Sequence, residues 1–122
     1  MSMGRTIAVI DDDAAVRDAT SRLLRSLGYV TTTYASATDF LNSGRVDEFS
    51  CALTDVRMPD IDGIELQRRL IAKGHRCPII FMTAFPEERV RRHALAAGAV
   101  GFLTKPCPTQ SLIDCIDTAL QA

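Results

Sequence analysis

The chain has 122 residues, of which 47% are apolar and 24% are charged, and its formal net charge is −1. This length and composition are typical of one folded domain with its own core, which we place at residues 1–122. The near-neutral charge is unlike the basic surface of most nucleic-acid-binding domains. Direct nucleic acid binding by this domain is therefore not expected.

No apolar run approaches the roughly 18 residues that cross a membrane, and the first residues lack the apolar stretch of an export signal. We therefore expect a soluble, cytoplasmic protein that makes no membrane contact. The cysteines lie far apart and form no C-x-x-C pair (Cys51, Cys77, Cys107 and Cys115). Their spacing fits neither a zinc site nor a dense disulfide framework, so we expect free thiols that pack as small apolar side chains.

Short apolar runs of strand length alternate along the chain with segments of helical periodicity. In chain order, the sequence predicts a strand at 6–10, a helix between a cap at Asp13 and a stop at Gly28, a strand at 29–34, a short helix at 36–42, a strand at 51–54, a helix at 63–72, a strand at 78–83, a helix at 87–97, a strand at 100–104 and a helix at 109–120. In the first helix, one apolar stripe contains Val16, Leu23, Leu24 and Leu27.

This alternation of strands and helices predicts an α/β fold, in which a five-stranded parallel sheet is covered by helices on both faces. Most of the predicted strands are apolar throughout rather than alternating, as a doubly covered sheet requires. In such folds, ligands bind at the carboxyl ends of the strands. The residues at those ends are therefore the first place to look for a site.

Polar residues follow four of the predicted strands: Asp11 and Asp12 the first, Asp55 the third, Thr83 the fourth and Lys105 the fifth. Clustered carboxylates repel one another unless a hard cation such as Mg²⁺ is bound. A lysine and a hydroxyl suit the binding of a phosphoryl group, and aspartate is a known nucleophile toward phosphorus. We interpret Asp55 as a nucleophile that the fold presents. The alternative is an acid that caps its own loop through local hydrogen bonds.

Four motifs occur in this order at the predicted strand ends: Asp11-Asp12, Thr54-Asp55-Val56-Arg57-Met58-Pro59-Asp60-Ile61-Asp62-Gly63, Thr83-Ala84 and Lys105-Pro106. With these motifs the chain resembles the receiver domain of two-component response regulators, from about Thr6 to Leu120. The resemblance implies a doubly wound, flavodoxin-like fold with strand order 2-1-3-4-5. It also implies a signalling switch that is activated by phosphorylation.

The resemblance implies that Asp55 is the phosphoacceptor and takes its phosphoryl group from a sensor histidine kinase or a phosphotransfer protein. It implies that Asp12 and Asp55 bind Mg²⁺ together with the backbone carbonyl of Arg57, and that Asp11 acts mainly through water. Lys105 would pair with the Asp55 carboxylate and then with the phosphoryl oxygens.

The resemblance further implies that Thr83 hydrogen-bonds the phosphoryl group and that Phe102 rotates inward in concert, at a position where many family members carry tyrosine. It implies a cis bond between Lys105 and Pro106. The face of helix four, strand five and helix five would then be recognised by a partner or by a second copy in a homodimer. Such a protein is not an enzyme toward other substrates, because it catalyses only its own phosphorylation and dephosphorylation.

Two other functions remain open on the sequence. An aspartyl-phosphate phosphohydrolase needs a general acid two residues after its nucleophile, a spacing that Asp11 and Asp13 satisfy but Asp55 and Arg57 do not. A pseudo-receiver would dock partners without being phosphorylated, which the complete set of acids, hydroxyl and lysine disfavours. The sequence ends soon after the last predicted helix. We therefore favour a receiver taken from a longer protein over a stand-alone regulator.

Several residues near the motifs have more ordinary interpretations. Asp13, Asp60 and Asp62 fit helix caps and loop-shaping acids better than metal ligands. The arginines of helix four predict a solvated basic face. Arg57 and Phe85 each lie two residues beyond a predicted site residue, and we hypothesise that both hinder the water that would hydrolyse the phosphorylated state.

Overall fold

The computed structural model describes residues 5–121. Its elements are β1 (Thr6–Ile10), α1 (Ala14–Ser26), β2 (Val30–Tyr34), α2 (Ala37–Leu41), a 3-10 helix (Val46–Glu48), β3 (Cys51–Asp55), α3 (Gly63–Ala72), β4 (Ile79–Thr83), α4 (Glu88–Ala96), β5 (Gly101–Thr104) and α5 (Thr109–Gln121). Every predicted strand and helix is present. The short 3-10 helix before β3 was not predicted.

The strands form one parallel sheet in the order β2-β1-β3-β4-β5. Ile7 of β1 lies opposite Thr31 of β2 and Cys51 of β3, so β1 is hydrogen-bonded on both sides. The chain passes from β1 outward to β2 and then returns to the other side of β1 as β3. The crevice at the carboxyl ends of β1 and β3 is therefore the topological switch point of the sheet. The predicted fold class and strand order are confirmed.

Two apolar layers cover the sheet, one on each face. Ile7 and Val9 of β1 pack with Leu24 of α1 and Ile116 of α5. The alternate residues of β1, including Ile10, belong to the layer built with α2, α3 and α4. Successive side chains of a strand point to opposite faces, so a strand buried on both sides has to be apolar at every position.

Side-chain caps begin three of the helices. Asp13 accepts hydrogen bonds from two backbone N–H groups of α1, and Ser36 and Asp62 accept one each from α2 and α3. These caps confirm the interpretation of Asp13 and Asp62 as helix-capping residues. Helix α4 differs, because its N-cap residue Glu87 makes no side-chain hydrogen bond to its own helix. The sequence had placed Glu87 inside that helix rather than at its cap.

The prediction that Leu27 lies on the inward stripe of α1 is wrong. Leu27 is 39% exposed, whereas Leu24 is fully buried. Helix α1 ends at Ser26, and Leu27 is its C-cap residue, followed by Gly28 with a φ of 97°. The chain turns away from the helix at this point, so the side chain of Leu27 no longer follows the helical stripe onto the sheet.

The cysteines are free, as predicted. Burial raises the pKa of the Cys51 thiol to about 12, and it also raises the pKa of Cys115. A methyl group on Gly101 of β5 would come within 2.6 Å of Cys115 Sγ, so α5 lies directly against this strand. Within residues 5–121, no helix combines the length and the apolar composition needed to cross a membrane.

Candidate functional site

The parallel strands bring the predicted site residues to one edge of the sheet. Asp55 is the last residue of β3 and lies opposite Met82 of β4. Thr83, the last residue of β4, lies opposite Thr104 of β5, and Lys105 follows directly. Because all these strands end at the same edge, their last side chains surround the switch point between β1 and β3.

Lys105 joins two of the acids. Its Nζ donates to Asp11 Oδ2 at 2.7 Å and to Asp55 Oδ2 at 3.2 Å. Burial alone would lower the pKa of Lys105, but the hydrogen bonds and the charges of Asp11 and Asp55 outweigh burial and raise this pKa above its ordinary value. The ammonium group therefore stays charged at neutral pH and offsets part of the negative charge of the cluster.

The three acids form one cluster. Each of Asp11, Asp12 and Asp55 offers an oxygen atom, and these atoms lie within 4.8 Å of one another. Both oxygens of Asp11 already have partners, since Oδ1 accepts from the Asp13 N–H at 2.9 Å and Oδ2 from Lys105. Asp12 is exposed, and its side chain has no hydrogen bond or ion pair within residues 5–121. Asp12 is therefore the carboxylate of the cluster that is freest to take a new ligand.

The loop after β3 is packed tightly beneath Asp55. The N–H of Arg57 donates to Asp55 Oδ1 at 3.2 Å, and the N–H of Gly63 donates to the carbonyl of Val56 at 2.7 Å. A Cβ on Gly63 would collide with the backbone carbonyl of Asp55 and come within 2.9 Å of the Phe81 ring. Only glycine fits here, because any Cβ would have to displace the backbone of Asp55 or the Phe81 ring.

Thr83 is almost completely buried, and its hydroxyl oxygen accepts the Phe85 N–H at 3.1 Å. Phe102 is half-buried and packs against Phe81 with ring centroids 6.1 Å apart. Its ring is thus neither fully inside nor fully in solvent. The proposed movements of Thr83 and Phe102 stay predictions. The predicted cis bond between Lys105 and Pro106 is confirmed.

The side chains of Arg57 and Phe85 meet outside the acidic cluster. The Arg57 guanidinium donates to Glu87 Oε1 at 2.7 Å, and its central carbon lies 5.6 Å from the centroid of the Phe85 ring. Phe85 is 67% exposed. Asp60, from the same loop as Arg57, accepts from the Thr38 hydroxyl and so shapes the loop.

Two contacts at the site had no counterpart in the sequence analysis. Arg17 of α1 donates to the backbone carbonyl of Asp11 at 2.8 Å, which fixes the chain between β1 and α1. Glu87 pairs with Arg57 across a separation of 30 residues. For the first contact, the only signal in the sequence was a basic residue, Arg17, one turn inside α1. For the contact between Glu87 and Arg57, the sequence contained no signal.

Comparison with known proteins gives a consistent result. The family model described as "Response regulator receiver domain" matches residues 7–117. The chain is 38% identical over 115 residues to the transcriptional regulatory protein TdiR of Thauera aromatica, covering 94% of this chain and 51% of that protein. It is 41% identical over 115 residues to the transcriptional regulatory protein FixJ of Bradyrhizobium diazoefficiens, covering 94% and 56%. The chain thus spans about half the length of these curated relatives.

Solved structures agree with this match. The crystal structure of FixJ-N superimposes with a TM-score of 0.88 at 30% identity, covering 99% of this chain and 96% of that one. The response regulator StyR superimposes with a TM-score of 0.90 at 40% identity, covering 98% of this chain and 60% of that one. The chain therefore belongs to the response regulator receiver domains of two-component signalling systems.

Proposed function

We propose that this chain is a single receiver domain that accepts a phosphoryl group on Asp55 and thereby switches a signalling output. The observation that carries the proposal is the position of the Asp55 carboxylate. It shares a cluster with Asp11 and Asp12, whose oxygens lie within 4.8 Å of one another, and it lies 3.2 Å from Lys105 Nζ. A nucleophilic carboxylate, a positive charge and a hard-cation site are the groups that phosphoryl transfer requires.

In the proposed reaction, the donor is a phosphohistidine of a sensor histidine kinase or a phosphotransfer protein. An electron pair of the Asp55 carboxylate forms the new oxygen–phosphorus bond. The electron pair of the phosphorus–nitrogen bond returns to the imidazole, which leaves in its neutral form and keeps the proton on its other nitrogen. Lys105 stands beside the developing acyl phosphate and stabilises the charge on its oxygens.

The donor set of the cluster fits a magnesium ion. Three carboxylates face a single lysine, so the cluster carries excess negative charge, and all its ligand atoms are oxygens. Asp12 and Asp55 would hold the ion together with the backbone carbonyl of Arg57. Asp11 would act mainly through water, since it holds the shorter of the two Lys105 contacts, at 2.7 Å against 3.2 Å for Asp55. When bound, the ion supplies positive charge against the phosphoryl oxygens.

The phosphoryl group on Asp55 would carry about −1.5 to −2 charges, in place of the single negative charge of the carboxylate. The Thr83 hydroxyl oxygen accepts the Phe85 N–H, and its proton would be donated to a phosphoryl oxygen. Phe102 would then move inward beside Phe81. These changes bias the surface formed by α4, β5 and α5, which we propose is recognised by an output partner or by a second copy of the chain.

The names of the relatives favour a transcriptional output. TdiR and FixJ are called transcriptional regulatory proteins, and this chain matches about half of each. We infer that the receiver regulates a transcriptional output in a longer protein, with the chemistry of the receiver confined to its own phosphorylation. A cytoplasmic location is part of the same proposal.

The decisive experiment is phosphoryl transfer from candidate histidine kinases to the wild-type chain, to Asp55→Asn and to Asp60→Asn. We expect label on the wild type and on Asp60→Asn, but none on Asp55→Asn. Asp60 is the matched control because it is an exposed acid of the same loop that bonds Thr38 instead of the cluster. Label of equal intensity on Asp55→Asn would refute the assignment.

The phosphohydrolase alternative has little geometric support. The carboxylate of Asp13, the second acid of that reading, accepts hydrogen bonds from the N–H groups of Ala15 and Val16 and so caps α1. Asp13 is therefore not placed as a free proton donor beside Asp11, which that alternative requires.

A further inference from the structure

Arg57 joins the proposed phosphoacceptor to the start of α4. Its backbone N–H donates to Asp55 Oδ1 at 3.2 Å, so the side chain originates beside the carboxylate that would carry the phosphoryl group. Its guanidinium is bonded to Glu87 at 2.7 Å. Arg57 also lines an open cleft of about 410 Å³ together with Asp12. One of the three clustered acids therefore shares this cleft with Arg57.

Glu87 is the N-cap residue of α4, but its carboxylate does not cap that helix. The N-cap residues of α1, α2 and α3 all accept backbone N–H groups of their own helices. The Glu87 carboxylate instead extends across to Arg57. The first turn of α4 is thus tied to the loop of Asp55 through one ion pair.

The same segment carries the predicted switch residue. Thr83 accepts the N–H of Phe85, and the Phe85 ring lies against the Arg57 guanidinium. Thr83 ends β4, and Phe85 and Glu87 follow in the short connection to α4. A movement of Thr83 toward a phosphoryl group would therefore act on Phe85 through this hydrogen bond, and on Arg57 through the Phe85 ring.

We propose that Glu87 is a positioning residue that competes with the phosphoryl group for Arg57. Before phosphorylation, the guanidinium pairs with Glu87. After phosphorylation it exchanges Glu87 for the phosphoryl oxygens, which releases the first turn of α4 from the Asp55 loop. This inference rests on the proposed phosphorylation of Asp55 and adds a second path, through side-chain charge, from that site to α4.

Two physical facts favour the exchange. Both side chains of the pair are 58% exposed, and solvent-exposed ion pairs contribute little to stability, so the pair breaks readily. A phosphoryl group presents up to three charged oxygens, and a guanidinium binds such oxygens in a bidentate geometry that one carboxylate oxygen does not offer here. The stronger acceptor appears beside the origin of the Arg57 side chain.

The test is a double-mutant cycle with the phosphate mimic beryllofluoride and Mg²⁺, with the apparent affinity measured from backbone amide NMR shifts. Glu87→Gln should bind the mimic about two- to fivefold more tightly than wild type, since no ion pair has to be broken. Arg57→Gln keeps the backbone carbonyl and should bind about tenfold more weakly. In the Arg57→Gln background, Glu87→Gln should have no further effect.

Glu88→Gln is the matched control. Glu88 is the next residue along the chain, lies in the same first turn and pairs with Arg91 and Arg92 of its own helix. Its replacement removes the same charge near the site without touching Arg57, so the affinity should equal that of wild type. The guanidinium resonance of Arg57 gives an independent readout. It should shift when the mimic binds to wild type and should already be displaced in unliganded Glu87→Gln.

Each contrary result has a distinct meaning. An equal gain in affinity for Glu87→Gln with and without Arg57 would reduce the effect to general charge repulsion and overturn the inference. If wild type responds normally to the mimic but Glu87→Gln binds it with unchanged affinity, the inference is overturned and the proposed function still stands. If wild type neither responds to the mimic nor accepts label on Asp55, the proposed function fails and the inference fails with it.

Discussion

Two ion pairs lie at the same edge of the sheet, and they differ in almost every physical respect. Lys105 and Asp11 are largely buried, with side-chain exposures of 17% and 6%, whereas Arg57 and Glu87 are both 58% exposed. The buried pair is part of a cluster whose members cannot leave without uncovering an unpaired charge. Separation of the exposed pair costs little free energy, because water solvates both charged groups. We call Asp11, Asp55 and Lys105 the inner half of the site, and Arg57 and Glu87 the outer half. The inner half is therefore preorganised, whereas the ion pair of the outer half can exchange partners.

The inner half is most easily disrupted at Gly63, which packs against the backbone of Asp55. Gly63→Ala should destabilise the protein by about 2–3 kcal/mol, because the new methyl group meets the backbone of Asp55 and the Phe81 ring. It should also displace the Asp55 carboxylate and lower the rate of phosphoryl transfer. Urea unfolding and transfer from a kinase measure the two effects.

Gly101→Ala is the control for this change. Its methyl group would meet the sulfur of Cys115, a side-chain atom that can rotate, so the loss of stability should be smaller. A smaller loss for Gly63→Ala than for Gly101→Ala would show that the backbone around Asp55 yields more easily than its packing indicates.

Removal of the buried lysine tests the charge balance of the cluster. In the absence of metal, Lys105→Met should lower the free energy of unfolding by about 1–2 kcal/mol, because the acids then repel one another without compensation. Added Mg²⁺ should restore much of this loss, since a cation in the cluster replaces the missing charge. Urea unfolding with and without Mg²⁺ measures both quantities.

The other lysine of the chain provides the comparison. Lys73 is exposed at the end of α3, and Lys73→Met should change neither the stability nor its dependence on Mg²⁺ in this way. If Mg²⁺ stabilised Lys105→Met no more than it stabilises wild type, the acidic cluster would not be where the cation binds.

The outer half should respond least. Glu87→Gln should change the free energy of unfolding by less than about 1 kcal/mol, measured by urea unfolding at neutral pH, because both partners are largely in solvent. A loss of more than about 2 kcal/mol would mean that the Arg57–Glu87 pair is required for stability. The outer half would then be as fixed as the inner half.

The parts of the site that could be predicted depend on order along the chain. Asp55 and Thr83 each end a strand, and Asp11 and Lys105 each directly follow one. Parallel strands bring their ends together whatever the loops do. The order and approximate positions of the strands and helices followed from apolar runs, helical periodicity and caps such as Asp13. These are local signals that a sequence displays directly.

The parts that could not be predicted depend on distances across the fold. The pairing of Arg57 with Glu87 joins two loops, and nothing in either segment indicates the other. The same holds for Gly63, whose motif was evident but whose contact with the carbonyl of Asp55 appears only once the loop has folded back. The prediction for Leu27 was wrong for a related reason, because helical periodicity does not show where a helix ends.

The contact between Gly101 and Cys115 gives the protein a built-in chemical reporter. The sulfur of Cys115 lies against β5 with no side chain in between, and burial raises the pKa of this thiol. Cys115 is half-buried, and its raised pKa leaves little thiolate at neutral pH, so a thiol reagent should react with it slowly while α5 lies on the strand and faster when the two separate. Three other free thiols are present, so the labelling has to be followed at Cys115 itself. Its kinetics, with and without a phosphate mimic at Asp55, would then report the opening of this interface.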